Sequence, residues 1–304
     1  MSIYDPFGFL ANITIVAKLL IQSAWKQNIM WDEQLPHPLA KQWKAWWTKF
    51  QYVNSLTVPR CYSSMISSAE NVQLHIFVDA STDAYAAVAY LRVSQGDMVE
   101  VAQVCAKSTC ALLKPMTVPR LELQAAVLGC RLKTLIEQNH EIRIDSTTFW
   151  SDSQTVILWI RSHSRAYKPF VAHRIVEILS ATTAEQWRWI PTALNVADDA
   201  TRAVPIPEPS INTRWLREPE FLYQQEGQWP RETMLSSVEC ANEELTGRKL
   251  LLCTTVRVVA WVLRFVSNAR KEVRKEELQA DELTAAEKQI CRIMKKVYSE
   301  STEE

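Results

Sequence analysis

The amino-acid sequence predicts an α/β protein in which helices pack on a five-stranded mixed sheet. The first indication is a run of three strand-like stretches, 72–80, 85–93 and 99–107, joined by short links such as the hairpin sequence Ser94–Asp97. The second is the alternation of helix and strand that follows, between residues 120 and 190. The first three strands are expected to pair antiparallel, with the fourth and fifth added beside the first.

The first predicted strand is apolar on both faces, as expected for a central strand. Leu74, Ile76 and Val78 alternate along it, and Asp79 then appears where the pattern predicts a buried or half-buried side chain. Burial of an unpaired carboxylate is costly, so this aspartate is expected to meet a metal ion, a cationic side chain or backbone N–H groups. The alternative is a turn-forming aspartate directly after the strand.

The remaining elements are mostly helices. A helix over 120–138 follows Pro119, and leucine and alanine residues spaced along it form one buried stripe. The tryptophans of the helix predicted at 37–52 are expected to pack against another helix, with a stacking surface as the alternative. The other predicted elements are helices at 9–30, 153–161, 170–180, 236–270 and 281–300 and strands at 147–151 and 187–190.

Composition favours an intracellular protein of roughly two domains. The chain has 304 residues, of which 47% are apolar, and its 34 basic and 34 acidic residues cancel. Binding to nucleic acid would therefore need a local basic surface. None of the seven cysteines forms a CxxC pair, so reduced thiols are expected. The N-terminus lacks the pattern of a secretory signal, and the most apolar window, 250–266, contains two arginines, so no membrane span is predicted.

Four carboxylates stand at the ends of predicted elements or among apolar residues. Asp79 lies on the first strand, Glu122 in the first turn of the helix 120–138, and Asp152 and Asp198 follow the fourth and fifth strands. Each has a simpler alternative role, since the helix dipole favours an early glutamate and an aspartate after a strand caps the next helix. Together they are expected to converge, and their like charges then require neutralisation by divalent cations.

This set of side chains predicts a magnesium site. Mg²⁺ takes oxygen ligands and bridges carboxylates to substrate phosphates, and two such ions suit in-line displacement at phosphorus. All four carboxylates are therefore candidate metal ligands and catalytic residues, with Mn²⁺ as a substitute ion. The sequence contains no Gly-rich phosphate loop, no HExxH, no GxSxG and no Cys/His zinc spacing, which excludes those enzyme classes.

The order of the four carboxylates carries a resemblance to a known family. They stand in FVDAS, PRLEL, WSDS and NVADDATR, which resembles the four-carboxylate active site of the type 1 ribonuclease H fold. More narrowly, YDPFGFL, VPRLELQAA, FWSDSQTVILWI, WRWIPTALNVADDATR and VVAWVLRFVSN resemble the Pao/BEL long-terminal-repeat retrotransposon polyprotein. The resemblance implies an RNase H-like sheet, helical N-terminal and C-terminal segments, and metal-dependent hydrolysis of the RNA strand of RNA–DNA hybrids.

The resemblance also implies a domain order. Residues 1–60 resemble the helical tail that follows a reverse-transcriptase polymerase, 72–203 the RNase H-like domain, 204–235 a proline-containing linker, and 236–304 a helical segment that leads into an integrase. The polymerase and integrase parts of the same polyprotein are then the expected partners. Cytoplasm, virus-like particles and nucleus are the compartments implied.

Two site assignments and one function stay open on the sequence. The family pattern N-x-A-D selects Asp198, with the adjacent Asp199 as competitor and as candidate cap of the next short helix. His163 and His173 both lie where many ribonucleases H have a mobile histidine. The alternative to the nuclease is a folded but non-catalytic remnant of a retroelement that acts as a binding module.

Overall fold

The structure is a computed structural model that describes residues 3–162, 167–217, 219–231, 244, 257–264, 282–290 and 292. The chain divides into two compact units. The first comprises Met1–Arg165 and Pro169–Ala241, and the second comprises Ala166–Lys168 and Asn242–Glu304. All four predicted site carboxylates lie in the first unit.

The first unit is built on one five-stranded sheet, which confirms the predicted fold class. The strand order is β3-β2-β1-β4-β5, so β1 lies in the centre. The pairs β1–β2 and β2–β3 are antiparallel, whereas β4 pairs parallel with β1 and β5 pairs parallel with β4. The fifth strand is thus added beside the fourth, at the edge. The strands are β1 (Asn71–Ala80), β2 (Ala84–Gln95), β3 (Met98–Cys110), β4 (Ser146–Ser151) and β5 (Trp187–Trp189).

The predicted helices of the first unit are present with shifted ends. The long helix begins two residues earlier than predicted, with Pro119 near its start, where a missing N–H costs no hydrogen bond. Glu122 therefore lies beyond the first turn, which corrects the prediction that the helix dipole acts on it there. The α-helices described in this unit are α1 (Ala11–Lys26), α2 (His37–Phe50), α3 (Val118–Asn139), α4 (Gln154–Ile160) and α5 (Pro169–Ala181).

One face of the sheet packs against α3. Leu74, Ile76 and Val78 of β1 are buried on this face. Gly129 of α3 faces them, and a Cβ atom at that position would lie 2.7 Å from a Val78 methyl group and 3.3 Å from an Ile76 methyl group. Such distances are shorter than real Cβ contacts, so glycine permits the close approach of α3 to the central strand.

The opposite face of the sheet is covered by residues 205–231. This segment falls within the predicted linker 204–235 and contains only short 3₁₀ turns, at Glu220–Tyr223 and Glu226–Gln228. Its large side chains are nevertheless buried in one cluster with Phe77 and Trp150 of the sheet; they are Trp215, Phe221, Leu222 and Trp229. The segment is therefore a layer of the folded unit that supplies aromatic side chains to its core.

The N-terminal helices pack against each other, and α1 packs beside the edge strand β3. Trp46 of α2 is buried, and its indole N–H donates to the carbonyl of Ile13 in α1 at 2.9 Å. Lys18 and Gln22 of α1 donate to carbonyl oxygens at and after the end of β3, at 3.1 and 2.6 Å. The tryptophan-rich helix thus serves helix packing, the first of its two predicted roles.

The second unit is described in two helical stretches, 257–264 and 282–290. Ala260 and Ala286 are buried there, and Arg264 forms an ion pair with Glu282. The rest of the helices predicted at 236–270 and 281–300 lies outside the described residues. Within the described ranges, every helix is too short or too polar to span a lipid bilayer.

Candidate active site

Asp79 lies within β1 itself and not in a turn after it. Its Cα pairs with that of Ala86 across the antiparallel ladder, and only 8% of the residue is exposed. The hydroxyl group of Thr201 donates to its Oδ2 atom at 2.8 Å. The sequence alternative of a simple turn aspartate is therefore excluded, because the carboxylate is held in the interior at the end of the central strand.

Glu122 reaches the same region from α3. The hydroxyl group of Ser153 donates to the Oε2 atom of Glu122 at 2.5 Å, and the Ser153 hydroxyl oxygen accepts the N–H of Val156 at 3.3 Å. Ser153 is therefore the N-cap of α4, the role that the sequence analysis left open for the preceding aspartate. This serine links the end of β4 to α3 through Glu122.

Asp152 directly follows β4 and is bound by a buried asparagine. Asn195 is fully buried, and its amide group donates to Oδ1 of Asp152 at 3.1 Å and to the carbonyl of Val78 at 3.0 Å. The backbone carbonyl of Asp152 accepts the indole N–H of Trp189 at 3.0 Å. Asn195 thus ties the carboxylate after β4 to the end of β1, where Asp79 lies.

Asp198 lies in a short 3₁₀ turn, Val196–Ala200, which we call the Asp198 turn. Asn195 caps this turn, because its side-chain oxygen accepts the N–H of Ala197 at 3.2 Å. Asp198 forms an ion pair with Arg202 at 2.6 Å between Oδ1 and Nη2. Its Oδ1 atom is buried and has no partner in hydrogen-bond geometry among the described residues.

Asp199 has a different partner from its neighbour. Its carboxylate accepts two hydrogen bonds from Nε and Nη2 of Arg214, at 2.9 and 2.5 Å. Asp199 was predicted to cap or start the short helix, but the cap is Asn195 and Asp199 is the acceptor of an arginine fork. This pairing favours Asp198 over Asp199 as the residue that faces the other carboxylates.

The four carboxylates interact electrostatically. Burial and the neighbouring charge of Asp152 raise the pKa of Asp79 from 3.8 to about 7, against the lowering effect of the Thr201 hydrogen bond. The charges of Asp198 and Glu122 raise it further. Burial likewise raises the pKa of Glu122 from 4.5 to about 7, with Asp152 adding to the rise and the Ser153 bond opposing it. Like charges from four elements therefore meet in one low-dielectric region.

The donor set fits a hard divalent cation. It consists of carboxylate oxygens, including the buried Oδ1 atom of Asp198, and a cation would relieve both the cost of burying these charges and their mutual repulsion, which together raise the pKa values. In the part of the chain that the structure describes, no three His, Cys, Asp or Glu side chains are close enough to hold a metal as they stand. Charge repulsion acts over longer distances than coordination bonds of about 2.1 Å, so the carboxylates must draw closer to coordinate an ion.

One of the two candidate histidines lies in the described part of the chain. His173 lies on an exposed side of α5. His163 lies outside the described residues. The histidine that the fold does bury is His75 of β1, whose Nδ1 atom accepts the indole N–H of Trp150 at 3.1 Å. Burial lowers its pKa to about 3, so it is a neutral core residue.

Sequence reasoning missed the side chains that position the carboxylates. Ser153, Asn195 and Thr201 bind Glu122, Asp152 and Asp79 directly, and Arg214 binds Asp199, the neighbour of Asp198. Ser153 and Asn195 stood inside the recognised motifs WSDS and NVADDATR, so their position was a usable signal. Arg214 lies beyond the motifs, and no local pattern distinguishes it from other arginines.

Comparisons with known proteins place the chain in a family. A model of the "Pao retrotransposon-like RNaseH-like domain" matches residues 1–153, which is half of the 304 residues. No curated protein matches the chain.

Solved structures similar to the chain include ribonucleases H. They include the N-terminal RNase H domain of rv2228c from Mycobacterium tuberculosis, at 17% identity and a TM-score of 0.29, over 43% of this chain and 94% of that one. RNase H1 from Halobacterium salinarum matches at 15% identity and a TM-score of 0.29, over 43% and 96%. LC11-RNase H1, solved in complex with an RNA/DNA hybrid, matches at 11% identity and a TM-score of 0.27, over 43% and 93%. On the family match over half of its length, the chain belongs to the Pao retrotransposon-like RNase H-like domain family.

Proposed function

We propose that this chain hydrolyses the RNA strand of RNA–DNA hybrids with the help of divalent cations, as a part of a retrotransposon Pol polyprotein that acts in reverse transcription. The observation that carries the proposal is the hydrogen bonding around the end of β1, where Asn195 joins Asp152 to the carbonyl of Val78 and Thr201 binds Asp79. The charges of Asp152, Asp198 and Glu122 all act on the buried Asp79 there. Buried like charges destabilise the fold, and cation binding is the function that such charges would serve. Membership of the Pao RNase H-like family supports the reaction class.

In this proposal the four carboxylates would hold Mg²⁺ ions, two by expectation, with Mn²⁺ as a substitute. When bound, such ions supply charge neutralisation at the scissile phosphate and lower the pKa of a bound water. The protein orients the ligands: Thr201 fixes Oδ2 of Asp79, and Asn195 fixes Oδ1 of Asp152. The other oxygen atoms of these two carboxylates, Oδ1 of Asp79 and Oδ2 of Asp152, accept no hydrogen bond from the described residues, so they remain for an ion.

The hybrid would need a local basic surface, because the net charge of the chain is zero. Arg120 of α3 and Arg174 of α5 would provide one. Both guanidinium groups lie over the ring of Phe170, at 4.9 and 3.5 Å from its centroid. Two arginines ordered on one aromatic ring are suited to phosphate contacts, and selection of the RNA strand would rest on its 2′-hydroxyls.

The competing function is a folded, non-catalytic remnant that acts as a binding module. Two observations favour it: the described carboxylates are not assembled for coordination, and Asp198 is paired with Arg202. In the remnant, that ion pair would be the permanent partner of Asp198. The two functions differ in whether a divalent cation displaces Arg202.

Cleavage of a labelled RNA–DNA hybrid by the purified chain, with Mg²⁺ or Mn²⁺ and with chelator, decides between them. We expect metal-dependent cutting of the RNA strand of the hybrid, with RNA–RNA and DNA–DNA duplexes spared. Glu122→Gln and Asp152→Asn should each lower the rate by about 10²-fold or more. Asp97→Asn, an exposed carboxylate in the β2–β3 hairpin, is the matched control and should cut at the normal rate. Cleavage that persists in excess chelator refutes the proposal, and hybrid binding without cleavage supports the remnant.

A further inference from the structure

The Asp198 turn is held by an arginine from outside the predicted RNase H-like domain. We infer that Arg214 is a positioning residue for Asp198, and that residues after 203 are therefore part of the functional unit. The inference rests on the proposed function, because it takes Asp198 to be a cation ligand. It adds a residue and a segment that neither the motifs nor the family match over residues 1–153 contain.

The guanidinium group of Arg214 joins the two sides of the Asp198 turn. Its Nη1 atom donates to the carbonyl of Ala193, before the turn, at 2.8 Å. Its Nε and Nη2 atoms donate to the carboxylate of Asp199, after Asp198, at 2.9 and 2.5 Å. Three donors of one rigid planar group thus fix the backbone on both sides of Asp198. This group therefore adds to the cap of Asn195 and to the buried Val196, Ala197 and Ala200 in holding the turn.

Arg214 also controls the charge beside the site. Asp198 and Asp199 are adjacent, and an unpaired Asp199 would be a second carboxylate able to attract the cation. The fork of Arg214 holds Asp199 in another direction, while its Nη2 atom lies 4.0 Å from Oδ2 of Asp198, outside hydrogen-bond distance. Asp198 makes its close ion pair with Arg202 at 2.6 Å, and Arg214 is a second, more distant cationic partner at 4.0 Å.

The core of the protein sets the position of Arg214. The next residue, Trp215, is 1% exposed, and its indole N–H donates to the carbonyl of Phe9 at 2.9 Å. The carbonyl of Trp215 accepts the hydroxyl group of Tyr90, in the centre of β2, at 2.8 Å. The backbone that carries Arg214 is thereby attached to the sheet, so less conformational entropy is lost when its side chain binds the turn.

The simpler interpretation of the contact between Arg214 and Asp199 is a surface ion pair without functional effect. The side chains of Arg214 and Asp199 are 40% and 26% exposed, and exposed pairs contribute little to stability. The two interpretations differ in what the arginine changes. A surface pair would leave cation affinity untouched, whereas a positioning residue affects cation affinity far more than stability.

The test is calorimetric titration of the full chain with Mn²⁺, without nucleic acid, well below the unfolding temperature of each variant. We expect Arg214→Ala to weaken Mn²⁺ binding by about 10- to 100-fold. Arg214→Lys, which keeps the charge but loses the fork, should recover part of the affinity. Arg217→Ala is the control, since Arg217 lies in the same segment and makes no hydrogen bond or ion pair with the Asp198 turn in the described structure; it should bind as the wild type does. The double variant Arg214→Ala/Asp199→Ala should bind Mn²⁺ no less tightly than whichever single variant has the lower affinity, because the two side chains act together.

Each result decides the inference separately from the nuclease activity. Equal Mn²⁺ affinity in Arg214→Ala and in the wild type overturns the positioning role and leaves the proposed function standing. Loss of affinity in Arg217→Ala to the same degree overturns it as well. A wild type that binds Mn²⁺ but cuts no hybrid refutes the nuclease while the affinities of the variants still decide the role of Arg214. A wild type that binds no Mn²⁺ overturns both.

Discussion

Replacement of Asp79 by asparagine should stabilise the metal-free protein at high pH. The folded protein holds the proton of Asp79 up to about pH 7, whereas the ordinary pKa of this side chain is 3.8. The resulting stabilisation is complete below about pH 4 and is lost as the pH rises through 7. The asparagine side chain of the variant carries no charge to desolvate, and its amide oxygen can still accept the hydroxyl of Thr201.

The size of the effect follows from the pKa of Asp79. From pH 5 to its folded pKa of about 7, the wild type loses about 2.7 kcal/mol relative to the variant, at about 1.36 kcal/mol per pH unit. Glu122 also has a raised pKa, but part of its shift comes from shared neighbours, so the two contributions do not simply add. The buried His75 produces the opposite trend in both proteins and cancels in the comparison.

Urea unfolding of the wild type and of Asp79→Asn in chelator, from about pH 5 to 8, measures this difference. We expect the variant to gain stability relative to the wild type by about 2 to 3 kcal/mol over the range. Added Mg²⁺ at about pH 8 should stabilise the wild type by mass action and have little effect on the variant. A stability difference that does not change with pH, or a wild type that is the more stable protein at pH 8 without metal, would refute the electrostatic account of the cluster.

Three further predictions compare substitutions with distinct expected results. Asp198→Asn should lower the rate of hybrid cleavage by about 10²-fold or more. Asp199→Asn should cost little activity and at most about 1 kcal/mol of stability, because its amide oxygen can still accept a hydrogen bond from arginine. Cleavage rates at equal folded concentration check both, and an inactive Asp199→Asn variant would move the metal site to Asp199. Trp215→Ala should lower the free energy of unfolding in urea by about 3 to 5 kcal/mol, whereas Trp25→Ala, at an exposed residue, should change it very little. Equal effects of the two substitutions would mean that residues 205–231 are not part of the core. Thr201→Val should raise the pKa of Asp79 further, because it removes the hydrogen bond that lowers it, and should shift the pH dependence of metal-free stability upward; an unchanged pH profile would contradict this.

The sheet and most helices could be predicted because their sequence patterns are local. The alternation in β1, the short links between β1, β2 and β3, and the apolar stripe of α3 each specify one element and one buried face. The order β3-β2-β1 and the place of β4 beside β1 follow from the hairpins and the helical connection, whereas the pairing of β5 with β4 at the edge was not specified by the prediction that both strands are added beside β1. The early start of α3 was missed because the propensity of Val118 for the first helical position is weak.

The layer formed by residues 205–231 could not be predicted from the sequence. Prolines interrupt any periodicity at its start, so its tryptophans and phenylalanine carry no helical or strand pattern. Burial of Trp215 and Trp229 depends on contacts with residues far away in the chain, such as Tyr90 and His75. The same holds for the site: the motifs identified the carboxylates, whereas the bond of Thr201 to the distant Asp79 and the bond of Arg214 to Asp199 form only in the tertiary fold.

Anomalous scattering from Mn²⁺ in crystals of this chain tests most directly whether the four carboxylates form a cation site. We expect an anomalous peak among Asp79, Glu122, Asp152 and Asp198 at saturating Mn²⁺, with Asp198 turned from Arg202 towards the ion. Asp79→Asn crystals treated in the same way should lose or weaken the peak. Saturated wild-type crystals without a peak among these four residues, or with Asp198 still paired to Arg202, would contradict the account.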